Sequence, residues 1–568
     1  MEKNKIFVNG KIYTENPDMP WAQALVCSGK KLIYVGTDEG ASCFEGEVTD
    51  LQGKLVIPGL IDGHTHPSTV SKTFWRVRGP IVEDRDELLE VIAEYAEKYP
   101  KEEVPYFFYE CYLTETFGDE GPNRRDLDRI ISDRPARIQD FGDHACWFNS
   151  VALEMLKDEN GIPYAESAIG SPVFVKDKDG DYTGWCLEPG PDGEPGIYDA
   201  IGWRPPETAD EEMTGPFLDY LKHYGVMCMM DGITESDGDM EFYYNYDRQG
   251  KLGMYYEATS ILNDISEIDD AVAKVREWQE KYSSEHIHCN TVKYFIDGTN
   301  EMGDCLSTEP FHNDPEGKNC GRANCTAEEM VEVLVRLNRE KIDLHVHTIC
   351  DGAFRIMCDA VEKAQEICGD SWCIRVTLAH CEIIHPDDIE RVHRLGIFID
   401  WSAHWSGGYF GDEAKAYLGE ERWNTMYDFT RIIDEGGHVG FSSDVFSYSE
   451  ACRANPFFGM QTAATRIDPE YPLDPDEYPG SIRQPESAKL SVKQLVHGYT
   501  YTNALRMRLD HIMGSLEEGK LANFVVLEDN IFEMDLFRIK DTEVAFTCFE
   551  GECRNISTDL AEQMGFMK

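Results

Sequence analysis

Eight short apolar runs, separated by stretches of helical periodicity, constrain the fold of this 568-residue chain more than any other feature. They fall at residues 55 to 63, 225 to 233, 253 to 260, 290 to 297, 342 to 348, 374 to 380, 396 to 402 and 438 to 444. Strands buried on both faces and alternating with helices build parallel sheets. Eight such units predict an α/β fold, a distorted (β/α)8 TIM barrel, with its chemistry at the C-terminal strand ends. The gap from Pro67 to about Tyr224 is too long for one crossover and predicts an inserted subdomain at about 68–222, covering the barrel mouth. Short β patterns with turns return at both ends, as in Ile6–Tyr13, Lys31–Gly36, Gly519–Leu527 and Glu543–Gly551, and predict one small β-sandwich built from both termini. The expected boundaries are 1–57 and 515–568 for that sandwich and 58–514 for the barrel.

The first apolar run ends in Pro58-Gly59-Leu60-Ile61-Asp62-Gly63-His64-Thr65-His66-Pro67. Two imidazoles one residue apart on a strand point the same way and can grip one metal ion. A bare His-x-His is weak, since His286-Ile287-His288 and His345-Val346-His347 repeat it; position at a strand end is what distinguishes the first. The ends of later strands supply Lys293, His347, His380 and Asp444. Singly, each has a bland reading as a packed histidine, a helix cap or, for Lys293, a salt bridge to Asp297. Together they make a set of donors suited to one or two divalent ions, zinc first among them. An unpaired lysine in a barrel interior loses its charge readily, and its neutral amine can add carbon dioxide to give a bridging carbamate. His345 lies one layer below His347 and is expected to be packing.

Two ions bridged by a carbamate and a water would offer a hydroxide near neutral pH and polarise a substrate carbonyl. Asp444 would take the proton and pass it to a leaving amine. His404 is expected to touch the substrate without touching the metal, and His144, in the insertion, to line the pocket. Trp401, Trp405, Tyr409 and Phe410 near the mouth suggest an apolar or aromatic substrate group, with loop packing as the alternative.

The net charge of −53 argues against nucleic acid and anionic membranes as partners and is read as a solvated acidic surface. The first ten residues lack a signal peptide's apolar core, no window is long and apolar enough to span a bilayer, and the 18 cysteines show no Cys-x-x-Cys pair. A cytoplasmic protein with free thiols, a small-molecule substrate and a homodimeric assembly is the expectation.

These residues resemble the amidohydrolase superfamily, and more narrowly its amidohydrolase family 3 branch, over nearly the whole chain. The resemblance rests on Asn9–Thr14, Pro58–Pro67, His144–Ser150, Val292-Lys293 with Asp297-Gly298-Thr299, His347–Asp351, Ala379-His380, Leu418–Arg422, Ser443-Asp444 and Gly514–Ala522. It implies a barrel with a two-ended β-sandwich, His64, His66 and Asp444 on one metal, His347 and His380 on the other, and carboxylated Lys293 between. Cys350, Ala379 and Trp401-Ser402-Ala403-His404 depart from the branch's usual residues. The expected activity is hydrolysis of a carbon–nitrogen bond in an amide, N-acyl or N-formyl amine by attack of a metal-bound hydroxide. A one-metal deaminase of the same superfamily and a non-catalytic scaffold are the rival readings.

Overall fold

The computed structural model describes residues 3–556 apart from 81, 83, 114–115, 119–120, 141–143, 166–171, 191–193, 301–302, 408–413 and 470–482. Its centre is one eight-stranded parallel sheet that runs in chain order. The strands are β1 (Leu60–Thr65), β2 (Val226–Asp231), β3 (Tyr255–Leu262), β4 (Ile287–Phe295), β5 (Asp343–Thr348), β6 (Val376–His380), β7 (Phe398–Ser402) and β8 (His438–Ser442). Alternation sorts their side chains. On β5, Leu344 and Val346 join the main apolar core, whereas His345 and His347 meet the other histidines inside the barrel. Amphipathic helices cover the outside. The helix Ala327–Glu340 buries Met330, Val333, Leu334 and Leu337 on one stripe, and a capping box of Thr326 and Glu329 starts it.

The apolar run at 55 to 63, read as one strand, is two. Leu55–Pro58 belongs to a sheet of the chain termini, and the barrel strand starts at Leu60. Pro58 lacks an N–H, and Gly59 lies so close to β2 that a Cβ there would be 2.4 Å from Met227 Sδ.

Terminal residues form a four-stranded sheet, in the order Lys31–Gly36, Ala24–Ser28, Asn4–Val8, Gly46–Asp50. A six-stranded sheet joins Leu55–Pro58, Lys11–Tyr13 and Trp21–Ala22 to Phe524–Leu527, Val544–Phe549 and Glu552–Arg554. One apolar cluster draws Phe7 and Leu25 from the first and Ile12, Val56, Phe524 and Val526 from the second. Between Val77 and Leu187 a further six-stranded sheet buries Phe107, Tyr109 and Ile138 in one cluster and Tyr106, Phe108 and Phe148 in another. Among the described residues no helix is long and apolar enough to cross a membrane.

The barrel sheet has two ends, β1 and β8, and what joins them is mostly not strand pairing. The Asn503 side-chain amide donates to Ile61 O of β1 (2.9 Å) and Phe441 O of β8 (2.7 Å). Arg506, one helical turn later, donates to Gly63 O. Glycines line this seam for lack of space. A Cβ at Gly63 would lie 2.1 Å from Arg506 Nη2, and one at Gly440 2.1 Å from Asn503 Oδ1. At the mouth, two backbone bonds complete the closure, Asp444 N to His64 O (2.7 Å) and His66 N to Val445 O (3.0 Å).

Asn503→Ala should therefore leave two buried carbonyls unpaired at the seam. The expected loss is about 2 kcal/mol or more of stability, read as a lowered midpoint in chemical unfolding; an unchanged midpoint would show that the seam does not depend on this bridge.

Candidate metal centre

At the C-terminal mouth of the barrel, five side chains meet around the Asp444 carboxylate. Its Oδ1 lies 3.1 Å from His66 Nε2 and 3.5 Å from His64 Nε2, and its Oδ2 lies 3.3 Å from His380 Nδ1. Lys293 Nζ is 3.4 Å from His64 Nε2. The His347 ring is 4.6 Å from that of His380, and its Nε2 faces Gly298 O at 3.2 Å, which leaves Nδ1 for the centre. His64, His66 and Asp444 flank the seam; Lys293, His347 and His380 come from β4, β5 and β6.

Two of these residues sit in strained backbone. His380 has φ +71° and Asp444 φ +49°, in the left-handed region that non-glycine residues rarely occupy. Space at the centre is kept by Gly232, just after β2. A Cβ there would come within 2.3 Å of His64 Nε2 and 2.7 Å of His66 Cε1.

Burial and mutual repulsion keep the imidazoles of this cluster unprotonated. Burial, then the charge of Lys293, drives His64 and His347 well below the usual imidazole range; for His380 burial acts first and His347 next. All three are neutral, the form that ligates. Burial also lowers Lys293 to about 8, against the opposing pull of Asp444 and Asp400. Nδ1 of His380 is buried without a hydrogen bond. Imidazole nitrogens with one carboxylate suit zinc and similar divalent ions, so the residues present fit the group.

Beneath this layer His345 Nε2 is 3.2 Å from His64 Nδ1, and Asp400 Oδ2 is 3.6 Å from the same atom. These three could also surround a cation, but Arg506 Nη2 lies 3.3 Å from Asp400 Oδ2 and already supplies the positive charge. The deeper triad instead holds the His64 ring, so that Nε2 faces the mouth. Asp297 does not pair with Lys293. Its carboxylate accepts from the backbone of Ile349 (2.9 Å), Cys350 (3.2 Å) and Leu306 (3.2 Å).

The other expected site residues divide. His144 stands beside the sheet that runs between Val77 and Leu187, 6.2 Å ring to ring from His347, with Nδ1 2.8 Å from Glu188 Oε2. Burial disfavours its charge, but Glu188 outweighs burial and pushes it up to about 10. Trp405 is half-buried and stacks on His380 at 5.2 Å. Phe446, which its sequence did not mark, stands 5.1 Å from His66 on the other side.

Two expectations are corrected. Trp401 points away from the barrel interior, because Asp400 and Ser402 take the inner face; it is buried against Phe429 (4.4 Å) and Phe441 (5.6 Å). His404 has both ring nitrogens engaged, Nε2 at Ser443 O (2.6 Å) and Nδ1 at Arg453 Nη1 (3.3 Å), so none faces a substrate. Tyr409 and Phe410 lie outside the described residues. Asp62, Gly232, Asp400 and Arg506 were missed; Asp62, two residues before His64 on the same strand, and Asp400, which alternates with Trp401, left local signals.

A profile of the amidohydrolase family matches residues 47–554, and the chain belongs to that family. It is 24% identical over 573 residues to N-substituted formamide deformylase of Arthrobacter pascens, covering 97% of this chain and 98% of that one. It is 26% identical over 443 residues to the exoenzymes regulatory protein AepA of Pectobacterium carotovorum, covering 76% of this chain and 92% of that one. An uncharacterized metal-dependent hydrolase from Pyrococcus furiosus has the same fold, with a TM-score of 0.63, 23% identity and coverage of 93% of this chain and 100% of that one.

Gly232→Ala should displace both His64 and His66 and weaken zinc binding by about 10-fold or more. Metal analysis after dialysis checks it; wild-type zinc content in a folded variant would show that the rings do not need that space.

Proposed function

We propose that this protein is a metal-dependent hydrolase that cleaves the carbon–nitrogen bond of an amide, N-acyl or N-formyl amine. The observation that carries the reading is the Asp444 carboxylate set against three imidazoles beside a buried lysine. Zinc suits these donors, His64, His66 and Asp444 for one ion and His347 and His380 for a second, with Lys293 between. A divalent ion held there supplies a Lewis acid and lets water lose a proton near neutral pH.

The chain's own groups do the rest. Asp444 accepts the proton of the attacking water and returns it to the departing amine, which would otherwise leave as an unstable anion. Lys293, whose buried ammonium is brought down to about 8, gives up one proton and as the neutral amine takes up carbon dioxide to give a carbamate and a second proton, which turns a costly buried cation into an anion facing the metal donors. His144, fixed by Glu188, offers its remaining nitrogen to the carbonyl oxygen, where negative charge grows. Trp405 and Phe446 give the apolar substituent two aromatic walls, in accord with the N-substituted substrate in the deformylase relative's name. The terminal sheets form the sandwich and the 77–187 sheet the inserted lid in the same reading.

The test is a panel of N-formyl, N-acetyl and N-aryl-acyl amines with the zinc-loaded protein. An acid plus a larger amine is expected, and His66→Ala should abolish it. Release of ammonia in its place would make the protein a deaminase, and turnover that survives His66→Ala would remove the metal from the reaction. Lys293→Ala should lose activity and regain part of it with formate or acetate; no rescue, together with full activity without added acid, would deny the carbamate.

A further inference from the structure

Asp62 and His404 are not among the proposed metal donors, yet both converge on Ser443, the residue before Asp444. Asp62 Oδ1 accepts from Ser443 N at 3.0 Å, and its Oδ2 accepts from Ser443 Oγ at 2.6 Å. On the other side His404 Nε2 donates to Ser443 O at 2.6 Å. Every polar group of Ser443 is thus held, at a residue only 4% exposed.

The direction of the His404 bond is set by its neighbours. Arg453 can only donate, so Nδ1 of His404 must accept and Nε2 must carry the hydrogen. Arg453 is itself anchored on buried Asp468 at 2.8 Å. A neutral imidazole with a fixed tautomer is therefore a rigid one-proton donor aimed at a single carbonyl. Asp62 is equally committed, since its Oδ1 also receives the backbone N–H of His64 at 3.3 Å.

What this arrangement holds is a strained turn. Asp444 has φ +49°, a conformation that costs a non-glycine residue free energy and persists only when its surroundings over-determine it. In extended backbone its carboxylate would leave the space between His64, His66 and His380.

We propose that Asp62 and His404 are positioning residues that clamp Ser443 from both sides, so that the next residue stays in left-handed backbone with its carboxylate among the three imidazoles. This extends the reading of Asp444 as a metal donor and rests on it. It also explains a histidine at position 404 without any contact to substrate.

The test is zinc affinity, measured by competition with a chromophoric chelator on the full chain, with kcat and KM measured beside it. Asp62→Asn and His404→Ala should each weaken zinc by about 10-fold or more, the scale of lost support behind a metal ligand, and lower kcat while KM holds. His404→Gln should recover most of the loss, because its carboxamide N–H can reach Ser443 O. Zinc affinity within about twofold of wild type in both Asp62→Asn and His404→Ala would overturn the clamp. So would a His404→Gln variant as inactive as His404→Ala with zinc unchanged, since that is the mark of a group acting on substrate. Ser443→Ala, which removes one hydroxyl and keeps the backbone bonds, decides the matter if the others do not fold: weakened zinc supports the clamp, unchanged zinc overturns it. The zinc measurement itself needs no substrate, so a wild-type chain that binds no zinc sinks the metal reading, while zinc bound equally by wild type and variants sinks the clamp alone.

Discussion

The seam between the first and last barrel strands is the interaction on which the rest depends. Asp62 on β1 reaches Ser443 after β8, the Asn503 amide bridges Ile61 O and Phe441 O, and Asp444 N bonds to His64 O. His64 and His66 stand on one side of that seam and Asp444 on the other. Closing the barrel and assembling the donors are therefore one event, and the tight bonds at the seam and the strained turn at Asp444 belong to the same structure. Long loops cost little extra closure entropy as they lengthen, so a contact across nearly the whole barrel sequence is affordable once its hydrogen bonds are buried.

Burial then sets the chemistry. Five nitrogen or oxygen donors and one lysine are excluded from water within a few ångströms of each other, a costly arrangement unless charge is neutralised or a cation is present. His64, His347 and His380 meet the cost by staying neutral, and burial brings Lys293 down to about 8. One layer down, Arg506 balances Asp400, which confines the unmet demand for a cation to the mouth. Elsewhere, the acidic group Glu285, His286 and Glu550 is already satisfied by Lys30, at 2.7 Å and 2.8 Å from the two glutamates.

The eight strands and the residues at their ends were legible because both signals are local. Apolar runs mark strands, and a polar residue at the end of such a run stands out. Alternation could have gone further. Asp400 and Trp401 are adjacent, so only one can face the interior, and a charged group buried beside histidines argues for Asp400. The break at Gly59 was hidden inside a continuous apolar run, since strand pairing with Phe524–Leu527 on one side and β2 on the other leaves no mark in the run itself. Asn503 and Arg506 were out of reach because they come from beyond the last strand, and the tie between His144 and Glu188 joins the ends of two strands, Ala145–Phe148 and Tyr182–Leu187. His404 was assigned by its place after β7, which tells where a residue starts but not what its ring nitrogens meet.

The most direct measurement is the zinc-edge X-ray absorption spectrum of the zinc-loaded full chain. A barrel-mouth site built from His64, His66, His347, His380 and Asp444 predicts a shell of nitrogen and oxygen donors at about 2.0–2.1 Å with strong imidazole scattering. A shell dominated by sulfur near 2.3 Å would place the ion on cysteines elsewhere in the chain, and would contradict the assembly of a metal centre across the barrel seam.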